Sequence, residues 1–190
     1  KMKKARMPEE ALALVMERVE STLEQVTRDD IFPHAALSTT GVWEGTREGM
    51  WTSGFWAGLL WHRSALTGKP EDAATAVTWT LCLKPHLDHK THDIGFVFSS
   101  SAVLGWEFGR VPQCRDLALQ AADCLVGMVN PAVGVIPVGS QAEIASGLDE
   151  ISLPMIFSAT FTESWTILGS SSSKSCAVSC SSLANFPSAS

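Results

Sequence analysis

The sequence predicts an all-α protein assembled from stacked helical hairpins. Apolar residues recur at intervals of three and four along most of the chain up to about residue 128, and glycine–proline punctuation separates the periodic runs. That punctuation itself recurs: Gly68, Lys69 and Pro70 are echoed by Gly109, Arg110, Val111 and Pro112, with 41 residues from Gly68 to Gly109. Helix, glycine turn, helix and loop at a period near forty is the signature of a solenoid or a closed α/α toroid.

The first helix is expected over residues 8–28, where Leu12, Val15, Met16, Val19, Leu23 and Val26 form one apolar stripe and Pro8 suits the first turn. A polar stretch with Phe32, Pro33 and Gly41 follows. The second apolar run, residues 51–66, stops at Gly68, where glycine can adopt the left-handed C-cap conformation. Pro70 opens a third helix carrying Ala73, Ala76, Val77, Trp79 and Leu81, which must end before Pro85. A fourth is expected over residues 96–108. The fifth, residues 113–128, places Leu117, Ala121, Cys124, Leu125 and Met128 on one side.

At 190 residues with 45% apolar and 18% charged content, the chain can bury a core of one ordinary domain. Its net charge of -6 and pI near 5.3 leave no basic footprint, so nucleic acid is not an expected partner. No run of 18 apolar residues suggests a membrane span. Neither an apolar signal core nor a disulfide framework is legible, since the five cysteines are odd in number and scattered; a cytoplasmic, thiol-reduced protein is expected. Oligomeric state is left open. Residues 155–190 break the helical texture, and the last stretch from Ser170 holds ten serines and one charge, Lys174, which is too little large apolar surface to offset ordering entropy. Residues 1–154 are therefore the expected domain and 155–190 an atypical tail, foreign to the helical repeat, as a change of reading frame near Pro154 would produce.

Two clusters carry the chemistry. In the first, Trp51-Thr-Ser-Gly-Phe-Trp56, the aromatic side chains cannot all share one helical face, and Gly54 and Gly58 allow something to approach the backbone closely. Core packing accounts for indoles as readily as a cavity does. In the second, His86, His89, His92, Asp88 and Asp93 crowd a short segment just ahead of Gly95 and Phe96. Three histidines invite a metal reading, yet a stable zinc site needs a convergent fourth ligand that one short loop seldom supplies; no metal or cofactor is assigned. Asp93 can be read as a helix N-cap or as a site carboxylate with His92 beside it.

Taken together, Trp51-Thr-Ser-Gly-Phe-Trp56 and, some forty residues on, His92-Asp-Ile-Gly-Phe96 resemble the unsaturated glucuronyl hydrolases, glycoside hydrolase family 88, over residues 33–151. The resemblance implies an incomplete (α/α)6 barrel, because family members are about twice this length and the chain holds the first two to three hairpins. It implies hydration of the C4=C5 bond of a 4,5-unsaturated uronic acid at the nonreducing end of an oligosaccharide. Asp93 matches the family carboxylate, His92 its neighbour and Trp51 the indole of the pocket floor, with Trp56 as a further sugar contact. Asp149, in the segment running from Gly147 to Pro154, aligns with the family's presumed proton donor only through a gap. Where family members often carry a stacking tryptophan the chain has Val138, and the family's cationic grip on the uronate has no match, so weak activity is expected of this form. An inactive, non-enzymatic helical-hairpin fragment and an unsaturated rhamnogalacturonyl hydrolase are the alternatives.

Overall fold

A computed structural model of the chain describes residues 8–132 and Ile136. Asp149, Val138 and the 155–190 segment, on which several expectations fall, lie outside the described residues.

The first helix, α1, runs Pro8–Asp29, with Glu9 and Glu10 in its first turn and Arg28 in its last, as the helix dipole favours. Its apolar stripe is used unevenly. Val19 and Val26 are buried, whereas Leu12 and Val15 stay exposed, so only the C-terminal half of the expected stripe packs on the core. The expected polar stretch is in fact a small antiparallel hairpin, β1 (Phe32–Ala36) with β2 (Trp43–Thr46), pairing Phe32 with Thr46 and Ala36 with Trp43 around a bulge near His34. This small hairpin is an addition to a fold that is otherwise helical, as the sequence predicts. Two strands are not stable alone, and α1 supplies the anchor: the Gln25 amide donates to the Trp43 carbonyl (3.1 Å) and accepts from the Trp43 N–H (3.2 Å), while the Trp43 indole donates to Thr22 Oγ1 (3.0 Å).

The first helical hairpin joins α2 (Ser53–Thr67) to α3 (Pro70–Leu81). Gly68 takes the left-handed conformation (φ 65°) that ends α2, and Pro70 starts α3 at a position where its missing N–H costs nothing. Inside this hairpin the buried Trp61 indole donates to Thr80 Oγ1 at 2.9 Å, and Arg63 Nε meets Asp72 at 3.1 Å with both side chains largely buried. A 3₁₀ turn, Lys84–Asp88, then leads to a continuous helical segment made of α4 (Ile94–Phe98), a π-helical turn (Ser99–Val103) and α5 (Leu104–Gly109). The last helix, α6, is Pro112–Gly127, burying Cys114, Leu117, Ala118, Ala121, Ala122 and Leu125.

At the second turn the repeat is shifted by one residue. The left-handed residue is Arg110 (φ 51°), not Gly109, and Val111 then stands extended before Pro112 as Lys69 does before Pro70. Gly109 is glycine for another reason: a Cβ there would stand 2.9 Å from the Trp61 ring. Gly105 faces the same indole and Cys114, again at separations that leave no room for a side chain.

The contact that sets the architecture lies between α2 and the 94–109 segment. A Cβ on Gly54 would collide with the backbone of Val97, and one on Gly58 with the carbonyl of Ser100, so the two helices touch backbone to backbone along one turn of α2. Among the described residues no helix is long and apolar enough to cross a membrane.

Gly58→Ala should therefore lower the urea midpoint of unfolding by an amount equivalent to about 1–3 kcal/mol, the usual range for overpacking against an unyielding backbone. Gly127→Ala, whose added methyl meets nothing within 4 Å, should leave stability unchanged or raise it by up to about 1 kcal/mol.

Candidate active site

Two loops meet above this helix contact. One, ahead of α2, carries Gly49, Met50 and Trp51; the other, between the 3₁₀ turn and α4, carries His89 to Asp93. They enclose a cavity of about 110 Å³ lined by Gly49, Met50, Trp51, His86, His89, Thr91, Asp93 and Ile94. The juxtaposition follows from the fold, since Gly54 and Val97 are pressed together just beyond the two loops and fix how far apart they start.

The tryptophan loop is shaped by Gly49, which has φ 80° and whose Cβ would strike Ser53 and Phe32. Ser53 N–H and Oγ both donate to the Met50 carbonyl, the latter at 2.6 Å, closing the turn that precedes α2. Trp51 sits edge-on to Phe55 and tilted against Phe96, both at 6.0 Å between ring centroids, and His92 packs on Phe96 at 6.1 Å. The two motifs thus share one aromatic cluster. Trp56, expected as a second sugar contact, is placed elsewhere: it is 4% exposed, edge-on to Trp79 at 6.0 Å, and is not among the cavity-lining residues.

Asp93 stands at the start of α4 but does not cap it. Its backbone is helical (φ -60°, ψ -20°), whereas capping requires an extended residue whose side chain turns forward to the free N–H groups. The carboxylate instead accepts from Thr91 Oγ1 through Oδ2 at 2.9 Å and lies 3.4 Å from His92 Nε2 through Oδ1. Its side chain is 15% exposed, so it is partly desolvated yet open to the cavity.

Two histidines complete the wall. His86 Nε2–H donates to the Glu48 carbonyl at 2.8 Å, which ties the 3₁₀ turn to the tryptophan loop, and its ring stands 4.7 Å from that of His89. Burial holds the His86 pKa below the ordinary histidine range, helped by the neighbouring His89 and opposed by the Glu48 carbonyl. Of the three histidines of this segment, His86 and His89 pack on each other, whereas His92 packs on Phe96. Among the described residues no group of three His, Cys, Asp or Glu side chains is placed to hold a metal ion.

The structure therefore brings Trp51, His92 and Asp93 of the sequence-derived candidates to one place, leaves Trp56 in the core, and adds His86, His89 and Thr91. The histidines were visible in the sequence as a cluster but not as cavity lining. Thr91 carried a weaker signal, a hydroxyl two residues before an acidic helix-start position, a spacing at which side chain and backbone commonly bond locally.

The site thus belongs to the class of cavities in which an aromatic face and a carboxylate meet on a helical-hairpin scaffold. No family model matches the chain. Among curated proteins it is similar to the unsaturated glucuronyl hydrolase of Bacillus sp. (strain GL1), 37% identical over 90 residues covering 45% of this chain and 24% of that protein. It is also similar to the unsaturated chondroitin disaccharide hydrolase of Streptococcus pyogenes serotype M1, 29% identical over 133 residues, 67% of this chain and 32% of that protein. The crystal structure of the Bacillus sp. GL1 unsaturated glucuronyl hydrolase, responsible for the degradation of glycosaminoglycan, superposes with a TM-score of 0.64 and 28% identity, over 74% of this chain and 37% of that one. The chain is thus similar in sequence and fold to part of the unsaturated glucuronyl hydrolases, and the matched segment spans about a quarter to a third of the curated relatives' length.

Because the folded pKa of His86 lies below its unfolded value near 6.5, the unfolded chain takes up the proton first. Stability is complete above that value and declines as pH falls through the window down to the folded pKa. The melting temperature should drop as pH is lowered through about 6.5, and His86→Gln, which keeps an N–H for Glu48 but takes up no proton, should flatten that decline.

Proposed function

We propose that this cavity receives a 4,5-unsaturated uronic acid at the nonreducing end of an oligosaccharide and contributes to hydration of its C4=C5 bond. The observation that carries the reading is that Trp51 and Asp93, from motifs some forty residues apart, line one cavity. Likeness to proteins named for unsaturated glucuronyl and unsaturated chondroitin disaccharide substrates supplies the substrate class.

The chemistry asks for little else. The enol ether gains a proton at C4 while positive charge spreads over C5 and the ring oxygen; water then adds its oxygen to C5 and releases a proton. The resulting hemiketal opens and frees the rest of the oligosaccharide. In this reading the Trp51 ring lies against the sugar, and Asp93, ionised, faces the developing positive charge. His92 stands 3.4 Å from Asp93 and steadies its position. Asp149 remains the candidate proton donor from its place in the sequence. Free thiols at Cys82, Cys114 and Cys124 support a reducing, cytoplasmic setting.

Incubated with an unsaturated glucuronyl disaccharide, the chain should consume the substrate's enol-ether absorbance, slowly because the described cavity lining includes no lysine or arginine to meet the uronate carboxylate. Asp93→Asn should cut that rate on the order of a hundred- to a thousandfold, the usual loss for one electrostatic contact to a charged transition state. Asp88→Asn, outside the cavity lining, should leave it unchanged. A rate insensitive to Asp93→Asn overturns the reading.

A further inference from the structure

We propose that Thr91 is the positioning residue of the site, the group whose hydroxyl holds the Asp93 carboxylate toward the cavity and away from the helix it precedes. The inference rests on the reading of Asp93 above for its catalytic consequence, but its structural core stands on geometry alone.

A threonine hydroxyl has one proton to donate and lone pairs to accept with. At Thr91 both capacities are spent on the same neighbour: Oγ1 accepts the Asp93 N–H at 3.2 Å and donates to Asp93 Oδ2 at 2.9 Å. The Thr91 carbonyl also accepts from the Ile94 N–H at 3.4 Å, so its backbone is part of the turn. Thr91 is 5% exposed and lines the cavity itself, which leaves the hydroxyl little access to water as an alternative partner.

These bonds have a directional consequence. A carboxylate at the first position of a helix ordinarily turns forward to the unpaired N–H groups of the first turn. Here Oδ2 is drawn back toward the residue two positions earlier, and the helical backbone angles at Asp93 belong with that arrangement. The side-chain oxygen that could have served α4 is thereby held at the cavity wall, with Oδ1 left toward His92. A β-branched side chain at 91 also restricts χ1, so the donor is itself held in place. Thr91 touches no reacting atom in this account; it acts through Asp93.

The test uses the full chain with Thr91→Val, nearly isosteric but without the hydroxyl, and Thr91→Ser, which keeps it. The first readout is the χ1 rotamer of Asp93, measured by three-bond NMR couplings. Wild type and Thr91→Ser should show one rotamer and Thr91→Val an average over several. Thr91→Ala should show the same averaging and serves if the valine variant does not fold. The second readout is consumption of an unsaturated glucuronyl disaccharide: kcat should fall on the order of ten- to a hundredfold in Thr91→Val with KM nearly unchanged, and recover in Thr91→Ser. A single, unchanged Asp93 rotamer in Thr91→Val overturns the proposal. Rotamer averaging without a change in kcat upholds the positioning role of Thr91 and overturns the role given to Asp93.

Discussion

The backbone contact between α2 and the 94–109 segment is the constraint from which the rest follows. Gly54 and Gly58, one turn apart, remove the side chains that would hold two helices at the usual separation of 8–10 Å, and the partner presents backbone atoms of Val97 and Ser100 rather than side chains that could yield. Both loops of the cavity are the N-terminal extensions of these two helices. Their separation is therefore set by a rigid contact and not by the loops themselves, which is how a site carried on irregular backbone keeps a defined width. The π-helical turn at Ser99–Val103 falls within this contact, where Ser100 meets Gly58 and the Ser101 hydroxyl returns to the Val97 carbonyl. A π turn inside a helix is often found beside functional positions, and here it directly follows α4, whose first residues bound the site.

A second layer supports the first. Trp61 is fully buried, bonded to Thr80 of α3 through its indole and pressed against Gly105 and Gly109 of α5. One side chain of α2 thus touches both its own hairpin partner and the next helix. This explains a feature that periodicity alone misreads: Gly109 looks like a turn residue and is instead a seat for an indole, so the left-handed conformation falls on Arg110, a position where a non-glycine residue is unusual.

The features legible in the sequence were those with a strong local cause. Helix-forming periodicity and Gly–Pro punctuation marked α2, α3, α6 and the first turn within a few residues of their observed bounds. The β1–β2 hairpin was not legible, because its strands are short, Pro33 weakens any strand pattern, and what holds it is a pair of bonds from Gln25 on a distant helix. The exposed half of α1 was likewise misread, since a stripe at helical spacing says which face is apolar and not whether anything covers it. At the site, Trp51 and Trp56 looked equivalent in sequence. They differ because Trp51 precedes the helix and turns with the loop, whereas Trp56 lies within α2 and is carried into the core beside Trp79.

The electrostatics of the cavity bear on what Asp93 could be for. A uronate is an anion, and a carboxylate facing it in the ground state is unfavourable, more so at a position only 15% exposed. Such an arrangement helps a reaction only if the facing group is met by positive charge that appears later, because an interaction stronger in the transition state than in the bound substrate lowers the barrier. In the proposed reaction, protonation at C4 creates that charge on the sugar ring, within the cavity that Trp51 and Asp93 both line. Attraction to the cation and repulsion from the substrate carboxylate then act on different parts of one molecule, and the carboxylate must sit at a fixed position to separate them. The bonds from Thr91 and the contact with His92 are the means by which the chain fixes it.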